Sequence, residues 1–168
     1  MIEFLLLLTF PVAMAFAAAN DLFTMKIPNK ISLVLIASFF AAALAIHMPF
    51  ETLATHVGIA AAVLTATFLL FSFNMLGGGD AKLMAAGALW MGPQQIFEYL
   101  AYLTIFGGVL AVVILFYRKF IPAGALPLPG WAVRLHENGS GIPYGIAIAA
   151  AGLLLYPSTP WFQAFAGM

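Results

Sequence analysis

Long apolar runs alternate with short groups of proline, glycine and charged residues along most of the chain. A helix needs about 20 residues to cross the hydrocarbon core of a bilayer, and somewhat fewer where flanking side chains reach the interface. Five runs meet this requirement and a sixth is short. The pattern predicts six transmembrane helices, at approximately residues 4–19, 31–46, 57–73, 80–91, 99–117 and 142–156.

The composition supports this prediction and excludes several classes of protein. Of the 168 residues, 64% are hydrophobic and 7% are charged, which is typical of an integral membrane protein. The net charge is zero and the basic residues are dispersed, so nucleic acid is not expected as a partner. Without cysteine there is no thiolate metal site, and His47, His56 and His136 lack a ligand spacing. We therefore predict one all-α membrane domain, residues 1–168, with a lipid bilayer around it and no metal or cofactor.

The placement of charge predicts the orientation of the helices, because cytoplasmic loops collect lysine and arginine. All basic residues fall in the gaps between predicted helices 1 and 2, 3 and 4, and 5 and 6: Lys26, Lys30, Lys82, Arg118, Lys119 and Arg134. The opposite side holds Glu3, His47, Glu51, His56 and Glu98. Both termini are therefore expected outside the cytoplasm, with Asp21 and Asp80 toward it.

Asp80 is the most informative residue because it follows three glycines and lies between apolar runs. The predicted helix that it begins has only about a dozen residues before Gly92, which would place the carboxylate below the membrane surface. Non-helical backbone such as 74–79 is tolerated at that depth only where protein buries it or water fills a cavity. A hydrated pocket lined by protein is expected there.

Asp21 is the expected partner of Asp80, because it ends predicted helix 1 on the same side of the membrane. Two carboxylates at one face can share a proton and activate a water molecule against a peptide carbonyl, as in aspartyl proteases. The alternatives for single residues are simpler. Asp80 alone is compatible with an N-cap, with Lys82 as a nearby counter-charge, and Asp21 alone with an ordinary interfacial residue. Asn29 is a candidate cap of helix 2.

Three motifs together resemble those of the type IV prepilin peptidases. The run Gly-Gly-Gly-Asp-Ala-Lys-Leu at 77–83 is similar to their GxGD-Ala-Lys-Leu signature. Asp21, followed by Lys-Ile-Pro-Asn at 26–29, resembles their first-aspartate motif, and Pro-Tyr-Gly at 143–145 resembles a third element. The length is closest to the short branch that serves Flp-type tight-adherence pili, called CpaA or TadV.

The resemblance implies a GxGD aspartyl protease of the bacterial inner membrane that removes the leader of Flp-like prepilins at the cytoplasmic face. It implies that Asp21 and Asp80 are the catalytic pair. The residues that it implicates in binding substrate or supporting the site are Pro28, Asn29, Gly77, Gly78, Gly79, Lys82, Pro143, Tyr144 and Gly145. Larger members carry a domain with paired cysteines and also methylate the new N-terminus, and we do not assign methyl transfer here.

Three rival interpretations remain open at this point. A presenilin-like intramembrane protease would need Tyr-Asp on one catalytic helix and a later Pro-Ala-Leu, whereas Asn20 precedes Asp21 here. A small transporter or channel subunit would use Asp80 and Lys82 as an ion relay in a broken helix. In a purely structural membrane subunit, neither carboxylate would react. The stretch 118–140 is predicted to lie at the membrane surface, either as a substrate-facing lid or as a linker.

Overall fold

Helices make up the whole of the secondary structure in the part of the chain that the structure describes. The structure is a computed structural model and describes residues 2–121, 129–136 and 141–166, so the expectations for 122–128 and 137–140 lie outside the described residues. The helices are α1 (Ile2–Thr24), α2 (Asn29–Ala45), α3 (Phe50–Ser72), α4 (Gly78–Phe120), α5 (Gly130–His136), α6 (Tyr144–Leu155) and α7 (Pro160–Ala166). The all-α prediction is confirmed.

Three of the described helices are long and apolar enough to cross a membrane, namely α1, α3 and α4. The helix α2 and the segment Tyr144–Ser158 are apolar but shorter. Two predicted boundaries were wrong. The helix α1 continues past residue 19 to Thr24, so that Asp21 lies in its last turn, and α3 begins at Phe50, so that His56 lies within a helix rather than in a loop.

The predicted break at Gly92 is confirmed, although the predicted gap between residues 92 and 98 is not present. Gly92 has φ 63° and ψ −167°, a backbone region that only glycine occupies readily, and the helix resumes at Pro93. The helix α4 is thus two arms, a short arm (78–91) and a long arm (93–120). The short arm of 14 residues spans about 21 Å at 1.5 Å per residue.

Side chains from other helices satisfy the carbonyl groups that this break leaves unpaired. Pro93 has no N–H to donate to Leu89, four residues earlier, and His56 Nδ1 donates to the Leu89 carbonyl instead, at 2.8 Å. The Trp90 carbonyl accepts a hydrogen bond from Trp161 Nε1 at 2.8 Å. An unpaired backbone N–H or C=O group in an apolar medium costs roughly several kcal/mol of free energy, as does an amide moved out of water. The two hydrogen bonds avoid this cost and allow the helix to break inside the bundle.

A side chain likewise pairs with the carbonyl group that the proline inside α1 leaves without its helical N–H donor. Pro11 removes the N–H that would pair with the Leu7 carbonyl, and the Tyr156 hydroxyl donates to that carbonyl at 2.8 Å. The ring of Tyr156 also stacks on Phe10, with 4.7 Å between centroids. Aromatic contacts therefore connect α1, the short arm of α4 and the C-terminal segment into one buried cluster at the end of the bundle away from Asp80.

The packing of the helices explains how the two aspartate-bearing helices are held together. The helix α4 packs against α2, α3 and α6, and α1 packs against α2 and α6. The helix α6 therefore contacts both α1, which carries Asp21, and α4, which carries Asp80. Its first turn contacts the carboxylate of Asp21.

Replacing Gly92 by alanine is expected to destabilise the protein. An alanine at this backbone conformation costs about 1–3 kcal/mol, and its Cβ would overlap the buried ring of His56. We expect a melting temperature in detergent roughly 5 °C or more below that of the wild type. The control is Gly58→Ala in α3, where an added Cβ meets no atom within 4 Å. Equal melting temperatures for the two variants would contradict this account of the break.

Candidate active site

Asp80 lies in the first turn of α4, with its carboxylate turned back toward the start of the helix. Gly77 is the N-cap residue, so Asp80 is the third helical residue, and its carboxylate accepts a hydrogen bond from the Gly77 backbone. A Cβ on Gly77 would lie 2.6 Å from Asp80 Oδ2, which explains why the close approach uses glycine. Asp80 Oδ1 is buried and has no hydrogen-bond partner among the described residues.

The prediction of a non-helical segment 74–79 was wrong in part, because Gly78 and Gly79 are already helical. The alternative that Asp80 is the N-cap of its helix is also incorrect, because Gly77 is the N-cap residue. An acidic residue at the third helical position commonly reaches back to the N-cap amide, and Asp80 does so here. Asp80 therefore stabilises the start of α4 without being its N-cap residue, and its Oδ1 has no hydrogen-bond partner in the part of the chain that the structure describes.

Asp21 lies near the C-terminal end of α1, and the start of α6 holds its carboxylate. Asp21 is 5% exposed, and the Gly145 N–H donates to its Oδ2 at 2.6 Å. Gly145 is the second residue of α6, so the carboxylate lies at a helix N-terminus, where partial positive charge favours an anion. A Cβ on Gly145 would lie 2.8 Å from Asp21 Oδ2, so this contact also depends on glycine.

Asp21 and Asp80 both line one cavity of about 510 Å³, which we call the site cavity. Its lining residues come from the end of α1, the connection to α2 and the start of α4: Asp21, Met25, Lys26, Ile27, Pro28, Asn29, Gly77, Gly78, Gly79 and Asp80. The charge of Asp21 acts on Asp80 by Coulomb repulsion. The two acidic residues of this lining are therefore near enough for their charges to interact.

The three glycines before Asp80 have different packing roles. Gly79 packs against Ile27, because an added Cβ would lie 3.1 Å from Ile27 Cβ and 3.4 Å from its carbonyl oxygen. Gly78 packs against the ring of Phe71, at 3.3 Å for an added Cβ. The Gly79 contact brings the start of α4 against the connection between α1 and α2, on the side of Asp21, whereas the Gly78 contact holds it against the end of α3.

Lys82 and Asn29 are joined across the same junction. Lys82 Nζ donates to Asn29 Oδ1 at 3.0 Å. Asn29 is the first helical residue of α2 and Pro28 is the N-cap residue, without a side-chain capping bond, so the expected capping role of Asn29 was wrong. The bond connects α4, one turn after Gly78, with the residue that follows Pro28.

The residues of the third motif have separate locations. Pro143 is the buried N-cap residue of α6, and Gly145 contacts Asp21. Tyr144 lies between them in sequence but does not line the site cavity. Its ring packs on Gly107 in the long arm of α4, where an added Cβ would lie 3.0 Å away. Consecutive residues of α6 thus contact the two helices that carry the aspartates.

The helix α5 is attached beside the site. Arg134 Nη1 donates to the Phe23 carbonyl at 2.7 Å, and the Trp131 ring makes an edge contact with Phe23, two residues after Asp21. The Tyr117 hydroxyl donates to the Ala132 carbonyl at 3.0 Å. The described residues of α5 therefore bridge the ends of α1 and α4, and none of them lines the site cavity.

Sequence reasoning missed three residues of the site cavity, Met25, Lys26 and Ile27. They lie between Asp21 and Pro28 in the first-aspartate motif, so their position in the motif was the available signal. Met25 has φ 54°, and its N–H donates to the Asp21 carbonyl at 2.8 Å, which turns the chain back over the site. Among the described residues, no three His, Asp or Glu side chains are grouped closely enough to hold a metal ion.

Comparison with known proteins covers the first two motifs, at 21–29 and 77–83, and not the third, at 143–145. No curated protein and no solved structure gives a significant match to the chain. The model of the type IV leader peptidase family matches residues 8–116, which is more than half of the chain and includes both Asp21 and Asp80. The resemblance to prepilin peptidases is thus confirmed at the level of the family. The chain belongs to the type IV leader peptidase family.

Proposed function

We propose that this protein is an aspartyl endopeptidase of the bacterial inner membrane that removes the leader of Flp-type prepilins. Its family supports type IV leader peptidase activity and prepilin-type substrates in general. The observation that carries the finer assignment is the site cavity, in which Asp21 and Asp80 are the two acidic residues of the lining. One oxygen of Asp80, Oδ1, is buried and has no hydrogen-bond partner among the described residues, so no contact in that part of the chain occupies it.

The proposed reaction is a direct attack of water on the scissile carbonyl. One carboxylate takes a proton from the water as its oxygen bonds to the carbonyl carbon, and the other, protonated, carboxyl group donates a hydrogen bond to the carbonyl oxygen. When the C–N bond breaks, the proton that the first carboxylate took from the water passes to the leaving nitrogen. The products are a leader with a new carboxylate and a mature chain with a new amine.

Each carboxylate of the proposed pair is held at the N-terminus of a different helix. Asp21 accepts a hydrogen bond from the Gly145 N–H at the start of α6, and Asp80 accepts one from the backbone N–H of Gly77 at the start of α4. Each carboxylate therefore has a backbone donor that fixes its orientation, as reacting groups require. The carboxylates of the proposed pair are held by backbone amides of two different helices.

The proposed orientation places the site toward the cytoplasm. The six spans of this proposal are α1, α2, α3, the two arms of α4, and α6. Basic residues gather at the site end, where Lys26 lines the site cavity, Lys82 binds Asn29 and Arg134 binds the end of α1. Lysine and arginine mark the cytoplasmic end of membrane helices, which supports cleavage at the cytoplasmic face and external termini.

The test of this proposal is cleavage of a Flp-type prepilin by the purified protein in liposomes. We expect one leader fragment and one mature chain in mass spectrometry, and the same rate in excess EDTA, because the proposed chemistry uses two carboxylates and water. A precursor with an unrelated secretory signal serves as the control and should stay intact. Absence of cleavage would contradict the assignment, and loss of cleavage in EDTA that zinc restores would contradict the aspartyl mechanism.

A further inference from the structure

Lys26 is the basic residue among the described residues that line the site cavity, where Asp21 and Asp80 supply the acidic groups. Its side chain is exposed. The neighbouring lysines have other locations, because Lys82 forms a hydrogen bond with the start of α2 and Lys30 lines a separate groove between α1 and α2. Lys26 is therefore the cationic group that an occupant of the site cavity would contact.

The backbone of Lys26 is held on the side of α1. The left-handed turn at Met25, with φ 54°, directs the chain back over the site, and the Met25 N–H donates to the Asp21 carbonyl at 2.8 Å. The Thr24 hydroxyl donates to the Lys26 carbonyl at 3.2 Å. These bonds fix the point from which the Lys26 side chain leaves the backbone, close to the end of α1.

The next residue, Ile27, is held between the starts of α4 and α6. A Cβ added to Gly79 would lie 3.1 Å from Ile27 Cβ, and one added to Gly145 would lie 3.0 Å from Ile27 Cδ1. These two helix starts are the ones that hold the carboxylates of Asp80 and Asp21. The base of Lys26 is thus fixed relative to the acidic pair, whereas its flexible four-carbon stem lets the ammonium group reach a ligand.

The ammonium group of Lys26 has no acidic partner in the part of the chain that the structure describes. Asp21 and Asp80 line the same cavity, but each is held by a backbone N–H group instead. A lysine that is not committed to an internal ion pair can bind an anion that enters or forms in the cavity. The remaining question is which anion the proposed reaction supplies.

Hydrolysis of a peptide bond creates an anion at the cleavage site. The oxygen of water bonds to the carbonyl carbon, the C–N bond breaks, and the leaving amine takes up a proton. At neutral pH the new α-carboxyl group releases its proton to solvent and becomes a carboxylate. This carboxylate forms beside two acidic side chains, and like charges in a partly buried cavity repel one another. A cation in the same cavity offsets that repulsion.

We propose that Lys26 binds the new C-terminal carboxylate of the leader as it forms. This inference rests on the proposed function, because it places the scissile bond in the site cavity. The ligand is a peptide α-carboxylate, and the intact substrate has a neutral amide at the same position. Lys26 therefore interacts more strongly with the cleaved leader than with the uncleaved bond, and it stabilises the product as its charge develops.

Inhibition by synthetic leader peptides tests this assignment. Two peptides end at the cleavage site of the same prepilin, one with a free carboxylate and one with a C-terminal amide, and each inhibits prepilin cleavage in liposomes. We expect the free acid to have an inhibition constant about fivefold lower than the amide in the wild type, the scale of a partly exposed ion pair. The ratio should approach one in Lys26→Gln and should stay near the wild-type value in Lys26→Arg.

Salt provides a second readout of the same contact. At about 1 M salt the Debye length falls to roughly 3 Å, so the preference of the wild type for the free acid should shrink. The ratio of two inhibition constants is measured in one protein. A general loss of stability or activity in a variant therefore leaves this ratio unchanged, and only the loss of a contact with the carboxylate changes it.

The matched control is Lys30→Gln. Lys30 is exposed and lies four residues after Lys26, outside the lining of the site cavity, so this variant should keep the wild-type ratio. A wild-type ratio near one, inhibition by neither peptide, a preserved preference in Lys26→Gln, or an equal loss in Lys30→Gln would overturn the assignment. Failure of the proposed function has a different signature, since the wild type would then cleave no prepilin.

Discussion

Replacing either Asp21 or Asp80 by asparagine is expected to reduce leader cleavage by roughly 10³-fold or more. General acid and base catalysis contributes about 10²–10⁴-fold, and asparagine neither takes up nor donates a proton at this position. Asparagine has nearly the same shape as aspartate. Its side-chain carbonyl oxygen still accepts a hydrogen bond from the Gly145 N–H at position 21, or from the backbone N–H of Gly77 at position 80. The variants should therefore fold and insert as the wild type does. The measurement is kcat/KM for the prepilin in liposomes.

The matched control for these variants is Glu98→Gln. Glu98 is an exposed carboxylate in the long arm of α4, close to Gly92 and away from the site cavity, so its neutralisation should leave cleavage unchanged. Melting temperatures of all variants should agree with that of the wild type. Cleavage within a few-fold of the wild type in either aspartate variant would remove that residue from the mechanism.

Gly145→Ala is expected to lower kcat by about 10²-fold while leaving KM almost unchanged. The added Cβ would lie 2.8 Å from Asp21 Oδ2 and 2.9 Å from Asp21 Cβ, so the carboxylate must move. A displacement of about 1 Å at a reacting group costs about this factor in rate. The variant keeps both aspartates and the amide at residue 145, so the loss would report on the position of Asp21.

Gly108→Ala is the control for this substitution, because a Cβ there meets no atom within 4 Å and alanine favours helix. We expect its cleavage rate to match that of the wild type. If Gly145→Ala cleaved as fast as Gly108→Ala, the contact between α6 and Asp21 would not position the carboxylate. A large rise in KM with unchanged kcat would likewise contradict a positioning role.

The elements of the fold were predictable where the sequence carries local signals. Apolar runs and breaks at proline and glycine predicted the order of the main helices, and Gly92 with Pro93 predicted the division of α4. Charge placement predicted that Asp21 and Asp80 would share one end of the bundle, and both line the site cavity. These signals are local, or depend only on which end of a helix a residue occupies.

The contacts between helices were not predictable from the same signals. A helix that is apolar on all sides does not reveal which face packs against a neighbour. The bond from Gly145 to Asp21 joins residues that are 124 positions apart, and no periodicity connects them. Likewise, the burial of His56 against Leu89 follows from the carbonyl that Pro93 leaves unpaired, which becomes apparent only when the helices are assembled.

The position of Asp80 in its helix was predicted only in part. The three glycines before it indicated a special backbone, but the N-cap is Gly77 and Asp80 is the third helical residue. The backbone hydrogen bond to Gly77 satisfies one part of the carboxylate, and Oδ1 stays unpartnered among the described residues. The Asp80 side chain thus both stabilises the start of α4 and supplies a proposed reactive carboxylate.

The most direct test of the central claim, that Asp21 and Asp80 act as one catalytic pair, is a double-variant comparison in the reconstituted protein. The kcat/KM of Asp21→Asn, Asp80→Asn and the double variant is measured with one prepilin. Because residues that act as a unit show non-additive losses, we predict that the double variant is no slower than the slower single variant, within about threefold. Losses that multiply in the double variant, or substantial cleavage by either single variant, would contradict a shared pair.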